Sequence, residues 1–342
     1  MKYQAWLVAV SLSMSFSFGA WAEPSVSDVH VVKTLTLGGE GGWDFLTVDH
    51  DLHRLFVPRG SHVMVVDTDS EKVVADWAKT DGVHGVAVHP AMGLGFTSNG
   101  KANSVGVFDL KTNEHVTDVK AGNGPDAILY DKGSDKVIAF NHKGGTVTFI
   151  SIDADKKITP RELEVGGALE VGVVDGEGHA WVNVEDKSQV VELDTKAEKV
   201  LNRWALTGSE GPTGLALDPQ KHRLYAGCDG SHTVAVLDSN DGKILATLPV
   251  GEHCDGCGFD DSIAAGLVSC GDGTITVVRE SADGKFSATS IPTKAGARTI
   301  AVDPVAHLYY LPTAEFSPAT QPGGRPIRKP NSFQIVVVGA QK

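Results

Sequence analysis

"GPTGLALDPQKHRLYAGCDGSHTVAVLDSNDGKILATLPVG", residues 211–251, decides the fold. Four short runs inside it, GLALD, RLYAG, TVAVLD and ILATLPV, are rich in Val, Leu, Ile and Tyr. Gly, Pro, Asp and Asn separate them, as they do where strands must turn. The stretch reads as four short strands in succession.

The same order returns along the whole chain. The first strand of each unit ends near Asp49, His89, Asp131, Asp175, Asp218, Asp260 and Asp303, at intervals of 40, 42, 44, 43, 42 and 43 residues. A period of about 40–45 residues with four strands per unit is the pattern of a β-propeller. The last unit stops after its third strand, QIVVV, and lacks a fourth. "HVVKTLTLGG" (30–39) matches "KILATLPVGE" (243–252) and supplies it. The expected fold is therefore all-β: a seven-bladed β-propeller of four-stranded blades, its ring closed by the N-terminal strand pairing with the last blade. Such closure leaves no open blade edge to aggregate. Residues 23–342 are read as a single domain.

The phrases "HRLYAGC" (222–228), "VAVLDSNDGKILATLPVG" (234–251) and "RTIAVDP" (298–304) resemble the YncE-like, or YVTN-repeat, β-propeller family. The chain departs from that pattern in the sixth blade, where CDGCGFDD replaces an apolar run, and in the seventh, where a proline-rich loop is inserted. The resemblance implies an exported, cofactor-free propeller. Some members of the family are linked to nucleic-acid binding or to genes for outer-membrane receptors. It brings no catalytic motif.

The N-terminus agrees with export. Lys2 is followed by a mostly apolar stretch to Ala20, and Ala20-Trp21-Ala22 puts small residues where a signal peptidase cuts. Residues 1–22 are read as a signal peptide, cleaved before Glu23. The apolar stretch is broken by serines and, at about 16 residues, is short for a bilayer span. The expected location is the periplasm and the expected state a monomer. The chain carries 43 acidic and 30 basic residues, with 7% aromatic content. That balance argues against nucleic acid as a partner, since phosphates are repelled and few rings are present for base stacking.

In a propeller, the loops before each first strand and after each second strand open on one face, around the axis. Aligning the repeats puts one residue per blade at that mouth: Asp44, His84, Asp126, Glu170, Thr213, Asp255 and Arg298. Clustered carboxylates with an imidazole suit a divalent cation, hard oxygens favouring Ca²⁺ or Mg²⁺ and added imidazoles Zn²⁺ or Cu²⁺. Arg298 offers an anchor for an anionic group. Wet channel mouths also carry polar residues without any ligand. The rim loops add Arg59, His62, His142, His232 and His253 to the same face. The loop 312–333 of the seventh blade, basic at Arg325, Arg328 and Lys329, is expected to fold over the mouth as a lid or partner contact. Its prolines and glycines argue against a ladder.

All four cysteines fall in one sector. Cys228 and Cys270 end second strands, and Cys254 and Cys257 begin the first strand of blade six. In an oxidising compartment disulfides are the leading expectation, Cys257–Cys270 with Cys228–Cys254 ahead of Cys254–Cys257 with Cys228–Cys270. A thiolate metal site, with His253 added, stands as the alternative.

Three functions follow from these features. The first is a binding or scaffold protein taking a small molecule, a metal ion or an exported or outer-membrane protein at the axial mouth. The second is a metal-dependent, lactonase-like hydrolase using a channel cation and a carboxylate base. The third is nucleic-acid binding, which the resemblance suggests and the charge opposes.

Overall fold

The aspartates that mark the repeat are turn acceptors. At the end of the first strand, the carboxylates of Asp49, Asp131, Asp175, Asp218, Asp260 and Asp303 accept backbone N–H groups of the following turn at 2.7–3.0 Å. This is the Asx turn, a side chain satisfying donors that the turn leaves unpaired. The second blade has His89 at this place, with no side-chain bond to the turn, and there Pro90–Met92 forms one turn of 3₁₀-helix ended by left-handed Gly93. Asp67, Asp109, Asp153, Asp194 and Asp238 play the same part after the third strands.

The computed structural model describes residues 29–319 and 326–340. The signal-peptide segment 1–22 and Arg325 lie outside the described residues. The strands form seven four-stranded antiparallel sheets. Blade 3 shows the common plan: Pro125–Asp131, Lys136–Asn141, Thr146–Ile152 and Ile158–Glu164 run in order from the axis outward. The second and third strands are buried almost throughout, while the fourth is largely exposed. Neighbouring blades cover both faces of the middle strands, so these read as continuous Val, Ile and Phe runs rather than as alternation. Among the described residues no helix is long and apolar enough to cross a membrane.

The first strands ring the axis, each touching the next, and Thr47–Asp49 of blade 1 meets Ala301–Asp303 of blade 7. Seven strands converging on one axis leave little room. A Cβ on Gly214 would lie 2.8 Å from the backbone nitrogen of Cys257, and one on Gly256 would lie 2.8 Å from that of Ile300. Polar side chains then tie several blades to the next through a backbone carbonyl beside the axis. Asn183 donates to Gly214 O (2.9 Å), Thr213 to Cys254 O (2.7 Å), Ser269 to Arg298 O (2.7 Å), and Thr299 to Asp44 O (3.0 Å). Ser98 does the same for Asp126 O.

Closure follows the sequence reading. Val29–Thr36 pairs antiparallel with Gln334–Ala340, which also pairs with Leu308–Thr313. The chain then passes to blade 1 through the glycine-rich loop 37–43, and here one residue departs from expectation. Arg59, assigned by sequence to the rim, is wholly buried. Its guanidinium donates to Gly42 O (2.9 Å), Gly38 O (3.2 Å), Gly41 O (3.2 Å) and Gly39 O (3.3 Å), and sits 3.6 Å from the centre of the Phe333 ring. Only glycine lets the loop curl so tightly: Gly41 has φ +100°, and a Cβ there would meet Arg59 O at 2.2 Å. Burial, with the Arg328 charge nearby, lowers the Arg59 pKa to about 10, so the group stays cationic at neutral pH.

Two further expectations are corrected. The loop 312–333 does contain a ladder, Phe316–Ser317 paired with Ile327–Arg328. Pro318 and Pro326 flank its paired positions without occupying them. The cysteines are all free thiols, so neither expected disulfide set is formed. A bulge between Cys254 and Gly256 sets Cys254 directly opposite Cys270 and moves Cys257 opposite Val268. Burial pushes the thiols up, Cys228 and Cys270 to about 12, so without a metal they stay protonated at neutral pH. Among the described residues no three-donor cluster includes a cysteine.

Arg59→Met keeps the stem's bulk and removes the donors to four loop carbonyls, one of them buried. It is expected to lower stability by about 2–4 kcal/mol, read as a drop in melting temperature. A wild-type melting curve for this variant would show that the closing loop does not depend on Arg59.

Candidate functional site

The mouth residues are delivered by geometry common to all blades: each stands one or two residues into the first strand, or just before it. Asp44, His84, Asp126 and Glu170, from blades 1 to 4, line one cavity of about 460 Å³. Asp255 and Arg298, from blades 6 and 7, line a second of about 610 Å³, beside His253 and Asp229. Arg298 joins the two halves. It is in contact with Asp255, and its Nη2 lies 3.8 Å from Asp44 Oδ1. Thr213 takes no part: its hydroxyl is spent on Cys254 O, and the side chain is buried.

At the centre of the first cavity is Asp126. His84 Nδ1 lies 2.7 Å from Asp44 Oδ2 and 3.1 Å from Asp126 Oδ1. That nitrogen has one proton, and the hydrogen bond goes to Asp44. Asp126 Oδ1 is left buried without a hydrogen bond. On its other side His142 Nδ1 lies 2.8 Å from Glu170 Oε1. Thus two donor sets, Asp44–His84–Asp126 and Asp126–His142–Glu170, each have ligand atoms within 4.8 Å of one another and share Asp126.

The charges perturb one another in the expected directions. Burial, then the Glu170 and Asp44 carboxylates, push Asp126 up to about 7, against the opposing pull of His84 and His142. The hydrogen bond to Glu170 raises His142 to about 9, in spite of burial. For His84, burial pushes down, but the bond to Asp44 and the charges of Asp126, Asp44 and Glu170 outweigh it and hold the imidazolium above its ordinary value. Burial and Glu170 raise Glu185 at the edge of the same cluster. A further three-donor group, Asp260–Asp261–His307, lies at the far ends of the first strands. Asp260 is already committed there to Ser262, His307 and Tyr309, and it serves to join blades 6 and 7.

The structure sorts the rim residues. His142, read as a rim residue, belongs to the floor. His62 pairs with Asp76 at 3.7 Å and does not line either cavity. His232 is an exposed turn residue with φ +52°. His253 lines the second cavity, its Nδ1 3.9 Å from Asp229 Oδ1. Arg328 is drawn to the closing loop, bonded to Gly41 O and 3.7 Å from Glu40, rather than hanging over the acids. Among the described residues of the hairpin, Phe316 and Pro326 line the second cavity, on the Arg298 side. Sequence reading missed Trp43 and Lys143, which line the first cavity with Lys101. The signal for Lys143 was present: Asn-Gly-Lys (99–101) and Asn-His-Lys (141–143) end the second strands of successive blades. Below the mouth lies a smaller cavity of about 130 Å³, lined by Phe45, Val86, Ile128, Val171 and Ile300 together with Thr47 and several glycines.

The chain matches no protein-family model and no curated protein. Among solved structures it is similar to the WD40 repeats of RRP9, at 11% identity over 93% of this chain and 99% of that one, with a TM-score of 0.70. A chain in the crystal structure of a mitotic checkpoint complex aligns over 100% of this chain and 99% of its own, at 11% identity and TM-score 0.73. Streptogramin B lyase aligns over 90% and 97%, at 12% identity and TM-score 0.68. At such identities these likenesses show the propeller fold alone. The site has to be tested on its own chemistry. Asp126 and His142 both bind protons more tightly folded than unfolded, so their contribution to stability is present at low pH and lost as pH rises. For Asp126 the window runs from the ordinary carboxylate range to about 7, and for His142 from the ordinary imidazole value to about 9. The metal-free protein is therefore expected to melt lower as pH rises from about 5 to about 9. Asp126→Asn should flatten the acidic half of that curve. Wild-type and variant curves that run parallel from pH 4 to 7 would contradict the assignment.

Proposed function

We propose that this chain is an exported propeller of the YVTN kind whose axial mouth binds a divalent transition-metal ion. The observation that carries this reading is Asp126: a buried carboxylate whose Oδ1 lacks a donor, shared by two imidazole–carboxylate sets. Three carboxylates and two imidazoles within one cavity form a mixed oxygen and nitrogen set. Such a set suits Zn²⁺ better than Mg²⁺ or Ca²⁺, which prefer oxygen alone. A cation there removes the mutual repulsion of Asp44, Asp126 and Glu170 and gives Asp126 Oδ1 its missing partner. The residues that would hold it are Asp44, His84, Asp126, His142 and Glu170.

Export rests on the signal-like segment 1–22, and the periplasm is the compartment this implies. The rigid ring, with its loops gathered at one mouth, suits recognition. A metal-dependent hydrolase would need the same ion first, so metal binding is the property to establish before any reaction.

Metal-free protein titrated with Zn²⁺, Mg²⁺ and Ca²⁺ by calorimetry tests the reading. Zn²⁺ is expected to bind most tightly, and at about 100 times its Kd to stabilise the fold by about 2.7 kcal/mol. Asp126→Asn should weaken Zn²⁺ by at least about 100-fold, since even outer-shell changes cost about 10–100-fold. No Zn²⁺ binding, or equal binding by the variant, would overturn the reading.

A further inference from the structure

Resting on the metal reading above, we infer that the loaded mouth binds a phosphate-bearing small molecule, held by Lys101, Lys143 and the bound cation together. Lys101 and Lys143 occupy the same position in blades 2 and 3, just after the second strand. Both line the cavity whose floor carries Asp44, His84, Asp126, His142 and Glu170.

The loop entering each blade makes room for its lysine. Gly82 and Gly124 have φ of +72° and +64°, and a Cβ on them would lie 2.6 and 3.0 Å from the Cγ atoms of Lys101 and Lys143. The stems therefore lie across glycines, with no competing side chain beneath them. The ammonium groups are not neutralised. Lys101 reaches Asp81 only at 4.0 Å, between side chains 72% and 71% exposed. Lys143 has no carboxylate within 4.0 Å among the described residues. Gly42, Gly60 and Gly100 complete the wall and leave a volume of about 460 Å³ clear, in the range of small-molecule sites.

The donor type selects the anion. Planar carboxylates are best gripped by an arginine fork, whereas lysine acts as a point charge and is a common phosphate partner. The mouth's own fork, Arg298, is engaged by Asp255 and lies toward Asp44. Two separate ammoniums and a metal ion would together offer three positive partners to the oxygens of a phosphate. Without the ion, the floor's two imidazoles are already paired with Asp44 and Glu170 and offer a phosphate no free positive centre, so phosphate binding requires the metal.

Phenyl phosphate serves as the probe, titrated into metal-free and Zn²⁺-loaded protein. It should bind only the loaded form, and succinate should bind at least about tenfold more weakly. Lys101→Ala/Lys143→Ala is expected to lose at least about tenfold in phenyl phosphate affinity. The same variant should keep or gain Zn²⁺ affinity, because two repelling charges are gone. Lys187→Ala, three residues after the second strand of blade 4 and outside the cavity, should match wild type. Equal binding to metal-free protein, succinate binding as tight as phenyl phosphate, or indifference to loss of the two lysines would each overturn the inference. So would a double variant that loses Zn²⁺ along with phosphate, since the lysines would then only shape the mouth. Failure of Zn²⁺ to bind wild type would strike the metal reading instead.

Discussion

Closure of the ring is the constraint on which the rest depends. The strand Val29–Thr36 fills the edge that the last blade lacks, and the loop after it is pinned by the buried guanidinium of Arg59. With the circle complete, every blade is packed on both sides, and the middle strands can be apolar throughout. An open circle would expose one blade face and the hydrogen-bonding edge of Gln334–Ala340. The closing loop also ends at Trp43 and Asp44, so the element that seals the fold delivers a mouth residue.

Closure then forces electrostatic crowding. Each blade contributes the start of its first strand to one small circle, and four successive blades contribute Asp44, His84, Asp126 and Glu170. Local ties fix the backbones there: Ser98 holds the carbonyl of Asp126, and Thr299 holds that of Asp44. The side chains cannot retreat far from one another. Protons are one remedy, as the raised Asp126 and His142 indicate. A divalent cation is another, and it supplies two positive charges where the carboxylates converge.

The fold was readable because its signals are repeated. Turn aspartates at a near-constant interval report the period, and a missing fourth strand with a matching N-terminal segment reports the closure. The circle of mouth residues was readable for the same reason. What escaped were features set by a single contact. Arg59 sits in a loop that looks like any rim loop, and its burial follows from four glycine carbonyls that converge only once the circle is shut. His142 joins the floor because its ring turns toward Glu170, which periodicity does not encode. The cysteine register hinged on a bulge at Asp255, and one residue of shift changes every partner across the hairpin. The short ladder at Phe316–Ser317 was hidden by prolines that flank the paired residues without occupying them.

The central claim, that closure concentrates ligands for a cation around Asp126, is tested most directly by anomalous diffraction at the zinc edge from crystals grown with Zn²⁺. The account predicts a peak in the first cavity, within bonding distance of a carboxylate oxygen of Asp126 and of at least one of the His84 and His142 imidazoles. A mouth without a peak, with a protonated Asp126 hydrogen-bonded to Glu170 instead, would contradict it.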